Sequence, residues 1–430
     1  FLARAFVGYK RFSIEGTDAL VPMLDTALEE SAAAGAHTVA ISMAHRGRLN
    51  VLTNVLGKPI EQLFSEFMGR HDHLVGTGTG DVKYHLGYNN DTETRAGRKL
   101  HVTLVPNPSH LEVVNPVLQG LARARQRNAT DPYERDEFAV VPICIHGDAA
   151  FPGEGIVAET FNLAHLRGYS VGGTLHVIVN NQVGFTTEPV DSRSTRFASD
   201  LAKGFEMPII HVNADDPEAC VIAMRIAVAY RTTFGRDFLI DLVGYRRHGH
   251  NEGDEPAYTQ PLTYAEVKTK EPVWRAYSAT LEAEGVLTSE SVAEAQASYR
   301  RLFAEAGERV AQKQASDAMP RAGLGSDTCR ATRARKDLLV SIAERLVAFP
   351  SSFSPHPKLA KILEKRVEAV KSGEGIEWGV AEALAFGSLI QDGVGVRLSG
   401  QDCRRGTFSQ RHLVLDDFER GSSWSPLEAL

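Results

Sequence analysis

The stretch FAVVPICIHGDAAFPGEG, residues 138–155, decides the fold. Its first half is an unbroken apolar run, the pattern of a strand buried on both faces. Its second half opens into glycine and alanine around one bare carboxylate, Asp148, before the helical pattern IVAETFNLAHLRGY. A second apolar run, TLHVIV, ends on Asn180 and Asn181. If the helix joins the two runs as neighbouring parallel strands, both carboxyl ends lie on one edge of the sheet. Adjacent strands are about 5 Å apart, so Asp148 and Asn181 can face one small pocket. A carboxylate and an amide oxygen suit Mg²⁺, which takes its remaining ligands from phosphates and water. Nearby backbone N–H groups at the glycines would receive an anion. The competing reading makes Asp148 a helix cap and Asn181 a turn former, and pattern alone leaves both open. The place at the carboxyl edge, where open α/β sheets bind ligands, favours the first.

Outward from this stretch, HTVAIS, LHVTLV, MPIIHV and FLIDLV read as further strands. Amphipathic segments such as EGTDALVPMLDTALEESAAAG and DDPEACVIAMRIAVAYRTTFG read as the helices between them, the latter opening with the capping sequence Asp215, Asp216, Pro217, Glu218. The expected class is α/β, a parallel sheet flanked by helices over residues 1–270. Long charged helices suggest a helical connector over 271–374. An α/β pattern restarts over 375–430, with EWGVAEALAFGSLIQDG as a helix and VGVRLSG as a strand. Only the beginning of that second domain is expected, and with Phe1 in place of methionine the chain reads as a fragment.

Of 430 residues, 43% are hydrophobic and 23% charged, ordinary values for cores of globular size. The net charge of −7 and scattered arginines disfavour nucleic-acid binding. No apolar run reaches the roughly 18 residues that span a bilayer. Cys144, Cys220, Cys329 and Cys403 show no CxxC spacing, which fits a reducing compartment and suggests neither a disulfide framework nor zinc.

His45, His85, His110, His248 and His250 fall in loops, most directly after strands. Converging on one sheet edge they would bind an anion or move protons; singly they would be structural or solvated. Arg46 and Arg48 flank His45 in HRGRLN and suit phosphate or carboxylate, or a solvated turn. GTGTGD, residues 76–81, lacks the register of a dinucleotide loop. Glu382 lies in an apolar helical segment, where it is either exposed or a buried acid able to hand a proton to a ligand.

The blocks KRFSIEG, MAHRGRLNVL, GDVKYHLG, NPSHLEVVNPV, GDAAFPGEG, NNQVGFTT, HVNADDPEA, YRRHGHNEGDEP and WGVAEALAFGS, with VRLSGQDCRRGTFSQRH, together resemble the 2-oxoglutarate dehydrogenase family, the decarboxylating first component. The resemblance runs nearly from Phe1 to about His412 and implies the thiamine-diphosphate-binding fold. It implies a diphosphate-binding domain over 1–270 and the start of a transketolase-like pyrimidine-binding domain over 375–430. It implies thiamine diphosphate bound through Mg²⁺, with Asp148, Asn181 and the carbonyl of Val183 as metal ligands. Arg46, Leu111, Ala149, Ala150 and His250 match positions around the cofactor, and His85 and Ser109 match contacts to the 2-oxo acid. His45 matches an imidazole of substrate binding or proton transfer. Glu382 matches the acid that hydrogen-bonds the aminopyrimidine, serving the site of a partner subunit in a homodimer. The implied reaction is oxidative decarboxylation of 2-oxoglutarate in the tricarboxylic acid cycle. The succinyl group then passes to the lipoyl arm of a dihydrolipoyl succinyltransferase. A cytoplasmic place follows if the source is bacterial, the mitochondrial matrix if eukaryotic. 2-Oxoadipate oxidation, non-oxidative decarboxylation and a non-catalytic scaffold are the alternatives, and residues 1–430 alone are expected to be inactive.

Overall fold

The computed structural model describes residues 2–6, 12–68, 83–127, 134–251, 253–313, 333–400 and 402–430. The segment GTGTGD and Cys329 lie outside them. The chain divides into two compact units, Phe1–Leu324 and Gly325–Leu430.

The first unit is built on seven strands: β1 (Thr38–Met43), β2 (Tyr88–Glu93), β3 (Lys99–Leu104), β4 (Val140–Gly147), β5 (Leu175–Asn180), β6 (Ile209–Asn213) and β7 (Phe238–Val243). They are ordered β2-β3-β1-β4-β5-β7-β6, all parallel except the antiparallel pair β2 and β3. The six sequence-expected strands are present. Strand β2, YNNDTE, is the unexpected one: it lies at the sheet edge and alternates in burial, so it carries no continuous apolar run.

The central strands are buried along nearly their whole length, so successive side chains supply two separate cores. Val39, Ile41, Val141, Ile143, Val177 and Leu242 join a large cluster with the helices Leu20–Ala33 and Pro217–Phe234. Ala40, Val140 and Cys144 pack with the helix Val114–Arg125, and Ile178 and Leu239 with the helix Ile156–Leu163. The second face also takes polar side chains, because the alternation that buries Ala40 and Ile178 also places Ser42, His146, His176 and Asn180 there. Asp216 caps the helix Pro217–Phe234 by accepting the Ala219 N–H at 3.0 Å.

Two expectations are corrected. The segment expected as one connector, 271–374, is divided: the helix Ser289–Lys313 belongs to the first unit, with Ala306 and Val310 buried in its main core and Phe303 against Phe64. In the second unit VGVRLSG is not a strand; no described strand lies alongside to accept its backbone bonds, and Val394 and Leu398 are exposed. That unit is a small helical core of Ile342, Ala343, Val367, Val370, Val380 and Leu384, with a two-stranded ribbon at Leu415–Asp416 and Ser423–Trp424. No helix among the described residues is long and apolar enough to cross a membrane.

Candidate active site

Strands β4 and β5 are hydrogen-bonded neighbours, with Gly147 opposite Val179 in register. Their carboxyl ends therefore open side by side, and the loops that follow touch. A Cβ at Gly184 would stand 2.6 Å from the Cβ of Ala149, so only glycine admits this approach. Asp148, 3% exposed, has the backbone N–H of Asn181 directed at its carboxylate. Burial pushes its pKa up to about 6, opposed by the Arg193 guanidinium. No cation stands within ion-pair distance of it among the described residues.

The cap reading of Asp148 fails, because the residue preceding the short helix Ala150–Gly153 is Ala149 and no side chain caps it. The turn reading of Asn181 holds, since its Oδ1 accepts the Val183 N–H at 3.3 Å. Gln182 sits in the left-handed region at φ 61°, its N–H donating to Asn180 Oδ1 at 3.1 Å and its amide to the Gly244 carbonyl at 2.7 Å. Asn180 in turn donates to Asp241 at 3.0 Å. Asp241 is 0% exposed and also meets His211 Nδ1 at 3.0 Å and Ser199 Oγ at 3.3 Å. The chemistry of the Asp148 carboxylate, the Asn181 amide oxygen and the Val183 carbonyl is all oxygen, which would suit Mg²⁺ rather than a thiophilic metal.

Beside this rim lies a pocket of rings. His45 follows β1 and lies 4.9 Å from the rings of both Tyr84 and His85, and 5.3 Å from that of Phe12. Its Nε2 is buried with no hydrogen-bond partner. Burial first, then the neighbouring His85, Arg48, His250 and Arg46, lowers its pKa to about 4, so the imidazole is neutral at neutral pH. His85 Nε2 stands 3.2 Å from Ser109 Oγ, and the His85 carbonyl accepts the Asn107 N–H at 3.1 Å. His250 packs edge-on to Phe12 and Phe185, and Arg46 donates to the carbonyls of Ser13 and His250. Leu111 opens the 3₁₀ turn after Ser109. His110 and His248 do not join the pocket: they face Glu154 at 3.5 Å and Glu15 at 3.4 Å.

Three features escaped the sequence. Arg48, read from sequence as suited to phosphate or carboxylate or as part of a solvated turn, is instead 0% exposed and donates to the carbonyls of Met43, Leu86 and Val105. Arg193 leaves Nε and Nη1 buried without partners while acting on Asp148. A buried chain runs from Glu112 through His146, 2.6 Å away, to His176 at 3.0 Å and towards Asp237 at 3.7 Å. It ties the Leu111 turn to β4 and β5. Only cross-strand register joins these groups, so no linear motif announces them.

In the second unit Glu382 lies on the helix Trp378–Gln391, its side chain 34% exposed. Arg411 grips it with both arms, Nε to Oε1 at 2.5 Å and Nη2 to Oε2 at 3.1 Å.

Comparison with known proteins follows the same lines. The family model described as "Dehydrogenase E1 component" matches residues 3–319. The chain is 49% identical to the 2-oxoglutarate dehydrogenase E1 component of Bacillus subtilis (strain 168), across 100% of this chain and 47% of that protein. It is 48% identical to those of Bacillus velezensis and Bacillus pumilus, again across 100% of the chain and 47% of each relative. The chain thus spans about half the length of the curated relatives it matches. On this match and on its mostly parallel sheet, the chain belongs to the dehydrogenase E1 component family.

Proposed function

We propose that this chain carries the diphosphate- and metal-binding part of a 2-oxoglutarate dehydrogenase E1 component that works with thiamine diphosphate and Mg²⁺. The observation that supports it most is the contact of the Asp148 and Asn181 loops beside the His45–His85 pocket. Asp148, Asn181 and the Val183 carbonyl would hold Mg²⁺. Arg46, Leu111, Ala149, Ala150 and His250 would line the cofactor, the small alanines leaving the backbone open. When bound, thiamine diphosphate supplies the electron sink that decarboxylation of a 2-oxo acid requires. The chain's own groups do the rest: His85 and Ser109 receive the substrate, and His45 presents a neutral Nε2 able to bind it or take a proton.

Glu382, oriented by Arg411, would hydrogen-bond the aminopyrimidine in the site of the second subunit of a homodimer. The 2-oxoglutarate-derived succinyl group would pass to the lipoyl arm of a dihydrolipoyl succinyltransferase, in a bacterial cytoplasm. The domain assignment belongs to the same proposal: diphosphate binding within 1–270 and pyrimidine binding from 375. 2-Oxoadipate remains the competing substrate, because the pocket imidazoles fix a distal carboxylate better than its distance.

The test is calorimetry of the longest natural form of the protein with thiamine diphosphate and Mg²⁺, followed by acceptor-coupled turnover of 2-oxoglutarate and 2-oxoadipate. Saturable Mg²⁺-dependent binding that D148A abolishes, with faster turnover of 2-oxoglutarate, is expected. Absence of cofactor binding would favour a scaffold role, and preference for 2-oxoadipate would change the substrate.

A further inference from the structure

We infer that Arg48 is a specificity-determining positioning residue: a fully buried guanidinium, held by three carbonyls and by no carboxylate, that supplies a positive field beneath the His45–His85 pocket and favours a 2-oxo acid bearing a second carboxylate. The inference rests on the proposed function and deepens it.

Buried charges are ordinarily paired, because an uncompensated one is costly. The guanidinium of Arg48 meets only Met43, Leu86 and Val105 carbonyls, at 3.0, 2.8 and 2.8 Å, and no carboxylate lies within ion-pair distance among the described residues. Burial is the sole cause acting on its pKa, lowered to about 10, so it stays charged at neutral pH. Arg46 adds a second cation, spent on the Ser13 and His250 carbonyls. Asp254, whose carboxylate accepts the His250 backbone N–H at 2.8 Å, is the nearby acidic group.

Three of the buried polar atoms without partners lie in the same place. His45 Nε2, Asn107 Oδ1 and Arg48 Nε are all buried without partners. They gather about one turn: His45 is ring to ring with His85, Asn107 donates its N–H to the His85 carbonyl, and Arg48 holds the next carbonyl, that of Leu86. Buried polar groups left open together mark a place that a polar ligand completes. Being wholly enclosed, Arg48 cannot touch that ligand. It acts through its charge and by fixing the backbone just before His45 and just after His85. A second anionic group on the substrate gains from such a field, where a monocarboxylate gains less.

The experiment compares kcat/KM for 2-oxoglutarate and for the monocarboxylate 2-oxopentanoate in the longest natural form of the protein and in R48M and R48K. R48M is expected to lose on the order of tenfold of the preference for 2-oxoglutarate, carried by KM, a size set by one charge acting through protein; R48K restores part of it. Equal losses on both substrates, or an unchanged ratio, would overturn the inference. If R48M does not fold, calorimetric binding of glutarate against pentanoate to the wild type and R48K decides. A wild-type preference for glutarate that shrinks in R48K upholds the inference, and no preference or no shrinkage overturns it. Failure of the proposed function shows separately, as wild type that turns over neither acid while the glutarate comparison still reads Arg48.

Discussion

The two ends of the sheet each bury an arginine, and they treat it oppositely. At the amino end Arg231, 1% exposed, donates to the carbonyls of Gly173, Glu137 and Val140, with the carboxylates of Asp237 and Glu137 supporting its charge. At the carboxyl end Arg48 makes the same kind of carbonyl bonds with no acid among the described residues to balance it. Nearby lie an imidazole with an open nitrogen and, at the neighbouring strand ends, a buried carboxylate without a cation in contact. One end is electrostatically complete, as a structural closure should be. The other carries charges that await a partner, as a binding rim does.

The largest expected effect breaks the complete end. R231M would remove a buried, bonded cation, take its donor from the Gly173 carbonyl and one donor from each of the Glu137, Val140 and Val171 carbonyls that Gln126 also serves, and cost about 3–5 kcal/mol of stability. Chemical denaturation checks this, and the ratio of the two 2-oxo acids should not change. Next in size is D241A, which frees Asn180 and so loosens the turn carrying Asn181. By analogy with other groups that orient a metal ligand, Mg²⁺ affinity should fall about 10–100-fold, read by Mg²⁺ titration of cofactor binding.

A third effect, of similar size, has the opposite sign. A carboxyl whose pKa is raised to about 6 holds its proton more tightly in the folded state, so Asp148 costs stability as pH climbs from its unfolded value near 4 through about 6. D148N should therefore stabilise the cofactor-free protein at pH 8 by about 1–3 kcal/mol, on the scale of about 1.4 kcal/mol per pKa unit. The gain should vanish near pH 4, and thermal unfolding at the two pH values tests it. An equal change at both would mean that the site's charge is already compensated.

Much of this was legible in the residues. FAVVPICI and TLHVIV declared buried parallel strands because both faces need apolar side chains, and their ends located Asp148 and Asn181. The edge strand Tyr88–Glu93 was not legible, since half of its residues face solvent and a polar run there carries no burial signal. The reverse error, reading VGVRLSG as a strand, came from valines whose pattern only a neighbouring strand could have realised. His110 and His248 looked equivalent to His45 and His85, yet only backbone placement turns a histidine into the pocket or towards a surface acid.

The sequence by itself determined the α/β class, six of the seven strands of the sheet and the place of Asp148 and Asn181 at neighbouring strand ends, because periodicity and residue chemistry are local properties. Tertiary structure alone decided which groups are left incomplete. That Arg48 is enclosed without an acid among the described residues, that His45 Nε2 has no partner among them, and that Asp241 steadies the Asn180 turn depend on register between strands far apart in the chain. Charge compensation is a matter of distance and desolvation, and neither exists until the sheet has closed.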